Sequence, residues 1–534
     1  MLKACVDRWC LRWRVCAATF AAALLLLGGP NGAAKAGPLV VDYSLPPPSL
    51  DPVVVCDIAD NGVISNLYVT LLRYESKSLD EAPRGVSVMV EDQTRLTGYL
   101  AESWSVSEDG TVLTFKIRDG VKFASGRKVD ANAVRASLQR NLDSGKCGRY
   151  YLEAAQFGNT ESITAPDDHT VVITLKRPEP LVLQALTKAN TGIVDVDFVK
   201  QNGGDEWLAS HAAGFGPYLL KEYQPGVRAV FQENPNFFGE KPLEHEVVVN
   251  FITDSTTLLL RARNHQADIT LGLPKAMVAS LTPADGLTVI KVPTARWQLI
   301  ALPNQQPPFD NPTFRKALTY AVPYEAILKN VARGFGELFY GPFPPQFLAF
   351  RPEYGAPRGY EPAKAKELIE ESGVKMPVTA DLFIREGQND QEQIAAIVQG
   401  TWQPIGLNVT IRKLPASGYE EEVAAKHKVA MLIRFDGPSV TDPAWLLDYD
   451  IRCASLYNTS NYCNKKAEAL LDEAHPLRDP AERQVHWDEI AEIWTADSPR
   501  IPVYADIYPA VVSTDVRHWT YAQDGPFDLY RWGR

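Results

Sequence analysis

The chain has 534 residues, a formal net charge of −11 and a hydrophobic content of 45%. This length exceeds what one hydrophobic core usually holds, so we predict a globular protein of two or three subdomains. The acidic balance disfavours nucleic acids and anionic membrane surfaces as partners.

Residues 1–36 have the pattern of a cleaved secretory signal peptide. Basic residues, including Lys3 and Arg14, precede an apolar run at positions 15–27, and Ala34-Lys35-Ala36 forms a small-x-small cleavage site. The apolar run is shorter than the roughly 20 residues that a membrane-spanning helix needs. We therefore predict that residues 1–36 are removed and that a soluble protein is released outside the cytoplasm.

The mature chain begins with elements whose periodicity is easily read. Residues 39–43 predict a strand that runs into a proline-rich segment. Residues 111–118 alternate apolar and polar side chains, which predicts a second strand, and Asp119-Gly120 predicts a turn. A short strand at 121–123 and a helix capped by Asp130 are expected to follow.

Later elements follow from the same two periodicities. Strands dominate before residue 297, and longer helices appear beyond it, so the fold class is mixed α/β. The remaining strands are predicted at 170–175, 228–232, 267–269, 408–412 and 501–508, residues 246–252 form an apolar stretch, and the helices are predicted at 255–264, 311–322, 362–372, 391–403, 464–474 and 480–497.

Four cysteines remain after the signal peptide, namely Cys56, Cys147, Cys453 and Cys463. An even number in an oxidising compartment predicts disulfides. Cys453 and Cys463 flank a short polar loop, so we pair them and leave Cys56 with Cys147, although four cysteines allow three pairings. The cysteines lack CxxC-like spacing and nearby histidines, so we predict no metal site and no cofactor.

The sequence lacks the common hydrolase signatures, namely a Gly-x-Ser-x-Gly elbow, an HExxH pair and a Cys/His arrangement. A secreted hydrolase with an unfamiliar triad is the alternative from a different class of protein. We predict that the protein is not an enzyme.

An ordered set of short motifs covers almost the whole mature chain. It includes Leu50-Asp51-Pro52, the block from Leu100 to Phe123, Gly214-Phe215-Gly216-Pro217-Tyr218, Arg315-Lys316-Ala317, Ile405-Gly406-Leu407-Asn408-Val409 and Asp479-Pro480-Ala481-Glu482-Arg483. This set resembles the family 5 extracellular solute-binding proteins of ABC importers, whose members take dipeptides, oligopeptides or nickel chelates.

The resemblance implies a two-lobed periplasmic-binding-protein fold of the cluster-C type. The first lobe is expected at 37–296 and includes an extra β-rich subdomain at about 60–215. The second lobe is expected at 297–507, and residues 508–534 return to the first. Such lobes close on a solute that contacts both of them. The implied partners are a small-molecule or peptide ligand and an ABC permease, and the protein is expected to be a monomer.

Two positions resemble the peptide-end contacts of the peptide-binding members. Arg385, between a predicted strand and helix, matches the arginine that meets the peptide carboxylate, and a surface ion pair with Glu386 or Asp390 is the alternative. Asp442-Pro443 aligns with a family motif, which puts Ser439 where the amine-binding aspartate is expected. Asp436, three residues earlier, is the candidate replacement, and a turn-capping role is its alternative.

Four further residues are candidate ligand contacts. Trp297 and Trp445 are expected either to wall the cleft or to belong to the core. Asp57 and Asn61 follow the Leu50-Asp51-Pro52 motif in a region that faces the cleft in the family, and a disulfide at Cys56 would fix that loop.

The default solute is a small peptide. Because Ser439 departs from the family pattern, a non-peptide anion such as an opine, a sugar phosphate or a glycoside is the alternative, followed by a nickel or other metal chelate. The sequence leaves open whether the receptor serves transport or sensing.

Overall fold

The computed structural model describes residues 37–534 apart from 56–57, 147–151, 154–155, 356–358, 416–417, 420–430, 439, 456–457 and 526, and it also leaves out the side chains of 58–60. The predicted Cys56–Cys147 disulfide and the candidate contacts Asp57 and Ser439 lie outside the described residues. Residues 38–534 form one compact unit.

Eighteen strands occur within the described residues. They are β1 Leu39–Tyr43, β2 Leu72–Ser78, β3 Ser87–Gly98, β4 Ala101–Val106, β5 Val112–Ile117, β6 Thr160–Asp167, β7 Thr170–Leu175, β8 Tyr218–Gln224, β9 Arg228–Glu233, β10 Glu246–Phe251, β11 Ile269–Leu271, β12 Leu287–Ala301, β13 Gly336–Glu337, β14 Val378–Arg385, β15 Leu407–Leu414, β16 Met431–Asp436, β17 Arg500–Ser513 and β18 His518–Tyr521.

The α-helices alternate with these strands along the chain. They are α1 Ile58–Ile64, α2 Ala131–Asp143, α3 Leu181–Ala185, α4 Val196–Gln201, α5 Asp205–Leu208, α6 Ser255–Arg263, α7 Lys275–Val278, α8 Pro312–Tyr320, α9 Tyr324–Ile327, α10 Pro362–Ser372, α11 Asn389–Trp402, α12 Pro443–Asp450, α13 Lys465–Ala474 and α14 Pro480–Asp497.

The helix ends follow from their sequences. Asp130 accepts a hydrogen bond from the backbone N–H of Ala133 at 2.8 Å, which caps α2 as predicted. Asn311 caps α8 in the same way, and Pro312 follows it at the first helical position, where no amide hydrogen is needed. Gly373, with φ of 70°, ends α10 in the left-handed region that glycine tolerates.

The strands form three sheets. The largest has eleven strands in the described residues, in the order β15-β14-β16-β12-β17-β11-β1-β10-β9-β8, with β13 added beside β17. A second sheet has the order β18-β3-β2, and a third has the order β4-β5-β7-β6. The long antiparallel pair β12 and β17 therefore links the strands on either side of it into one sheet.

Residues 111–130 agree with the sequence prediction except at one point. Leu113, Phe115 and Ile117 on β5 are buried, so the alternating face packs inward. The expected second strand at 121–123 is reduced to an isolated bridge between Lys122 and Lys128. The prediction of a strand here was wrong because the segment turns back on itself within a few residues. The backbone N–H of Phe123 donates to the backbone oxygen of Arg127 instead of to a neighbouring strand.

The buried apolar residues form three large clusters. One contains core residues from 39–292 and 510–532. Another contains residues from 300–504. The third packs strands β5 and β7 and helix α2 together with Trp297, Trp445 and helices α12 to α14.

Candidate functional site

The centre of the large sheet holds the elements of the candidate site. Strands β12 and β17 pair from Leu287–Ser513 to Ala301–Arg500, but their register shifts between Pro293 and Trp297. Thr294 Oγ1 donates to the backbone oxygen of Asp506 at 2.9 Å within this irregular stretch. A bulge of this kind redirects the side chains next to it.

Arg296 follows the bulge and lies beside the end of β16. Its guanidinium carbon stands 5.9 Å from the ring centre of Phe435. A Cβ atom at Gly437 would come within 2.4 Å of Arg296 Cγ, so only glycine leaves room for the arginine stem. The end of β16 is therefore shaped around Arg296.

Two tyrosines lie close to Arg296. The rings of Tyr508 on β17 and Tyr521 on β18 are 5.5 Å apart. Burial raises the pKa of both hydroxyl groups, and the charge of Arg296 only partly offsets this effect. Both hydroxyl groups are therefore protonated at neutral pH.

Asp524 connects this region to the first part of the chain. Its Oδ1 accepts a hydrogen bond from Asn61 Nδ2 at 3.1 Å, and its Oδ2 accepts one from the backbone N–H of Ala189 at 2.7 Å. Burial raises the pKa of Asp524, while the charges of Lys188 and Arg296 lower it. We call Asn61, Arg296, Tyr508, Tyr521 and Asp524 the junction site.

The Tyr508 hydroxyl, the Tyr521 hydroxyl and Asn61 Oδ1 are each buried without a hydrogen-bond partner in the described residues. Buried polar atoms are paired in the large majority of cases, so three such atoms in one region indicate a place built for a polar guest.

A second acidic group lies next to the junction site. Burial raises the pKa of Glu91 to about 7, against the opposing charge of Lys188 and a hydrogen bond from the backbone N–H of Gln523. Lys188 itself is fully buried. Cationic and acidic side chains thus surround the same interior region.

Hydrogen bonds around this interior join residues 37–296 or 508–534 to residues 297–507. Gln523 Nε2 donates to the backbone oxygen of Pro438 at 2.9 Å. Gln184 Nε2 donates to Asp442 Oδ2 at 3.0 Å. Within residues 297–507, Arg483 donates two hydrogen bonds of 2.7 Å to the same carboxylate.

A buried histidine makes a further connection of this kind. His475 Nδ1 lies 2.9 Å from Glu179 Oε2, and its Nε2 lies 3.2 Å from Asp448 Oδ1. Burial opposes the charge on His475, but the two carboxylates outweigh burial and raise its pKa to about 9. The imidazolium therefore sits between carboxylates from the two stretches of chain.

Arg385 is the last residue of β14, where the sequence placed it between a strand and a helix. Its backbone N–H donates to Gln391 Oε1 at 3.1 Å. In the described residues its guanidinium has no hydrogen-bond or ion-pair partner, and Asp390 pairs instead with Lys275 at 3.3 Å. Strands β14 and β16 are parallel neighbours, so their last residues, Arg385 and Asp436, lie at the same edge of these two strands.

Asp436 is engaged with protein cations. Its two oxygens lie 2.6 Å from Arg434 Nη2 and 3.6 Å from Arg500 Nη1. Arg500 also pairs with Asp450, whose pKa is raised to about 6 by burial. These ion pairs balance the charge of Asp436 within the protein. A contact of Asp436 with a solute amine stays a prediction.

The two predicted tryptophans are buried in the core. Trp297 packs edge-on against Phe347 with ring centres 6.4 Å apart, and Trp445 packs against Tyr449 at 4.5 Å. Both belong to the cluster that joins the β-rich region to α12 to α14. A contact of either ring with solute stays a prediction.

The predicted disulfide between Cys453 and Cys463 is present. Among the described residues, no cluster of three His, Cys, Asp or Glu side chains is arranged to hold a metal ion. None of the helices in that part of the chain combines the length and apolar character needed to cross a bilayer.

Sequence reasoning missed most of the junction site. Arg296, Tyr508, Tyr521 and Asp524 belong to none of the motifs and were not predicted as contacts, and only Asn61 was a candidate. The one available signal was the prediction that residues 508–534 return to the first lobe, which would place the C-terminal segment beside the first residues of the mature chain.

Comparison with known proteins identifies the family. The family model for the middle region of the bacterial extracellular solute-binding proteins, family 5, matches residues 95–458. The chain belongs to this family. It is a solute-binding protein with the two-lobed fold of that family.

Relatives of known name extend the match along the chain. The probable D,D-dipeptide-binding periplasmic protein DdpA of Escherichia coli K12 is 26% identical over 489 residues, covering 90% of this chain and 91% of its own. The structure of a dipeptide-binding protein from Pseudoalteromonas sp. SM9913 in complex with Met-Leu has a TM-score of 0.80 at 22% identity, covering 93% of this chain and 100% of its own.

A structure with a different ligand is equally similar in fold. The binding protein AgaA from A. tumefaciens R10, solved in complex with agropinic acid, has a TM-score of 0.77 at 22% identity and covers 93% of this chain and 96% of its own. At this identity the two structures establish the fold of the family 5 protein alone.

Proposed function

We propose that this family 5 protein is a periplasmic receptor that captures a small peptide-like solute between two lobes and delivers it to an ABC permease. It acts as a monomer and catalyses no reaction. Residues 1–36 serve as its cleaved signal peptide.

The observation that carries this proposal is the set of buried, unpartnered polar atoms at the junction site. They belong to residues 37–296 and 508–534, beside Phe435 and Gly437 of residues 297–507, so a solute that binds there and also reaches Arg385 would contact both. Contact with both lobes is the condition for ligand-driven closure, because only then does the ligand favour the closed state.

Two of the three large core clusters support the proposed lobe boundaries, and the third, which contains Trp297 and Trp445, includes residues from both sides of them. One cluster combines residues from 39–292 with residues from 510–532, and another is confined to 300–504. This division is the one expected if the first lobe is 37–296 with 508–534, and the second is 297–507.

A peptide-like solute is favoured by DdpA, a probable D,D-dipeptide-binding protein, and by the dipeptide-binding protein solved in complex with Met-Leu. A non-peptide anion is the second candidate, favoured by Ser439 at the expected aspartate position and by the agropinic acid complex.

The test is the melting temperature of the mature protein, refolded to remove bound solute. We would scan it against a pool of di- to pentapeptides and separately against opines, sugar phosphates and nickel chelates. A solute that binds only the native state adds about 2.7 kcal/mol at a hundred times its dissociation constant, so a true ligand is visible.

We expect a shift with the peptide pool. A shift only with another pool would replace the peptide by that class of solute. The absence of a shift with every pool would contradict the receptor role for all of these solutes.

A further inference from the structure

The unpartnered hydroxyl groups of Tyr508 and Tyr521 are a specific feature of the junction site. Each is a hydrogen-bond donor buried without an acceptor in the described residues, although the two rings are only 5.5 Å apart. A buried donor without an acceptor is unfavourable, so two adjacent ones indicate that something binds there.

The adjacent guanidinium defines what that guest is. Arg296 acts electrostatically on both tyrosines, its stem lies against Gly437, and its guanidinium carbon lies 5.9 Å from the ring centre of Phe435. Two hydroxyl donors and one guanidinium match the several acceptor oxygens of a carboxylate, phosphate or similar oxyanion.

The guanidinium of Arg296 and that of Arg385 belong to different strands. Arg296 lies within β12 and Arg385 at the end of β14, with β16 between the two strands, so the two arginines occupy separate places in the sheet. Neighbouring strands are about 4.8 Å apart, which puts the two strands roughly 10 Å from each other.

We propose that Arg296, Tyr508 and Tyr521 bind an anionic group of the solute other than the one assigned to Arg385, so that the preferred solutes are dianionic. Among peptides these are ones with an acidic side chain, and among non-peptides they are dicarboxylates. The inference rests on the proposed receptor function and names the class of solute for that site.

The experiment compares two matched dipeptide pools by calorimetry on the refolded mature protein. One pool is X-Glu and the other is X-Gln, so the pools differ only in whether the side chain carries a charge. The wild-type protein is expected to bind the X-Glu pool at least tenfold more tightly.

The Y508F/Y521F variant keeps both rings and removes only the hydroxyl groups. We expect it to lose most of the preference for X-Glu while binding X-Gln as before. An R296M variant is expected to lose the same preference. The matched control is Tyr218→Phe, because Tyr218 donates to the backbone oxygen of Glu244 at 2.7 Å on the outer strand β8.

The outcomes separate the two proposals. If the wild-type protein binds neither pool, the peptide-receptor function fails. If it binds both pools equally, or if the tyrosine variant weakens both pools alike, the receptor function stands and the oxyanion site is overturned.

Discussion

At the scale of single residues, the charged side chains of the site fall into two groups. Asp436, Asp442 and Arg500 have partners within the protein and hold structure together. Arg385 has no partner of this kind in the described residues and stands at the end of its strand. A charged side chain that no protein group neutralises is the stronger candidate for a ligand contact.

Arg385→Ala is therefore expected to weaken binding of an anionic solute by roughly 2–4 kcal/mol, because a desolvated charge pair is lost. The dissociation constant measured by calorimetry with the solute found in the melting scan checks this. The matched control is Arg412→Ala, because Arg412 on the neighbouring strand β15 already has a protein partner, Asp381, at 3.2 Å. An unchanged dissociation constant would remove Arg385 from the site.

At the scale of elements, the meeting of β12 and β16 depends on a glycine. Strand β16 ends at Asp436, and Gly437 then passes directly against the stem of Arg296. The two strands stay paired up to Trp297 and Asp436. This pairing holds the residues just beyond it, Arg296 and Gly437, next to each other.

Gly437→Ala is expected to lower the free energy of unfolding by about 1–3 kcal/mol, as overpacked positions do, and to weaken solute binding by displacing Arg296. Urea unfolding and calorimetry measure the two effects. Gly400→Ala on α11 is the matched control, because a Cβ there meets no atom within 4 Å.

Adding Arg296→Ala to Gly437→Ala should restore part of the lost stability, since the smaller side chain removes the overlap. A double variant no more stable than Gly437→Ala alone would show that the overlap with Arg296 is not the cause.

At the scale of the whole molecule, His475 joins two stretches of chain that the lobe proposal assigns to different lobes. It faces Glu179 and Asp448, and Arg177, Arg452 and Gln156 lie against those carboxylates. Arg483 also acts on Glu179 through its charge. Because the pKa of His475 is raised, its ion pairs stabilise the protein most when the imidazole is protonated.

This pairing predicts a pH dependence with a definite sign. The stabilisation is fully present below the ordinary pKa of about 6.5 and is lost as the pH rises through the folded-state pKa of about 9. The difference corresponds to about 3 kcal/mol.

His475→Gln should flatten the fall in the free energy of unfolding between about pH 6.5 and pH 9, as measured by urea unfolding at a series of pH values. His211→Gln serves as the control, since His211 is exposed on the surface. A wild-type profile that is already flat over this range would contradict the role of His475.

Local sequence determined much of the fold. Strands β1 and β7 and helices α10 and α14 have the predicted bounds, because apolar periodicity and the capping residues act within one or two turns or strand pairs. The Cys453–Cys463 disulfide was also predictable, because the two residues bracket one short loop. The family could be recognised from the motifs because their order is read directly along the sequence, without three-dimensional information.

The tertiary structure alone decided the junction site. Tyr508, Tyr521, Asn61 and Arg296 are separated by up to several hundred positions in the chain, and no periodicity connects them. The same long-range packing buried Trp297 and Trp445 and gave Asp436 its arginine partners. Local patterns specify which face of an element is apolar, whereas the partner of a polar side chain depends on where the whole chain folds back.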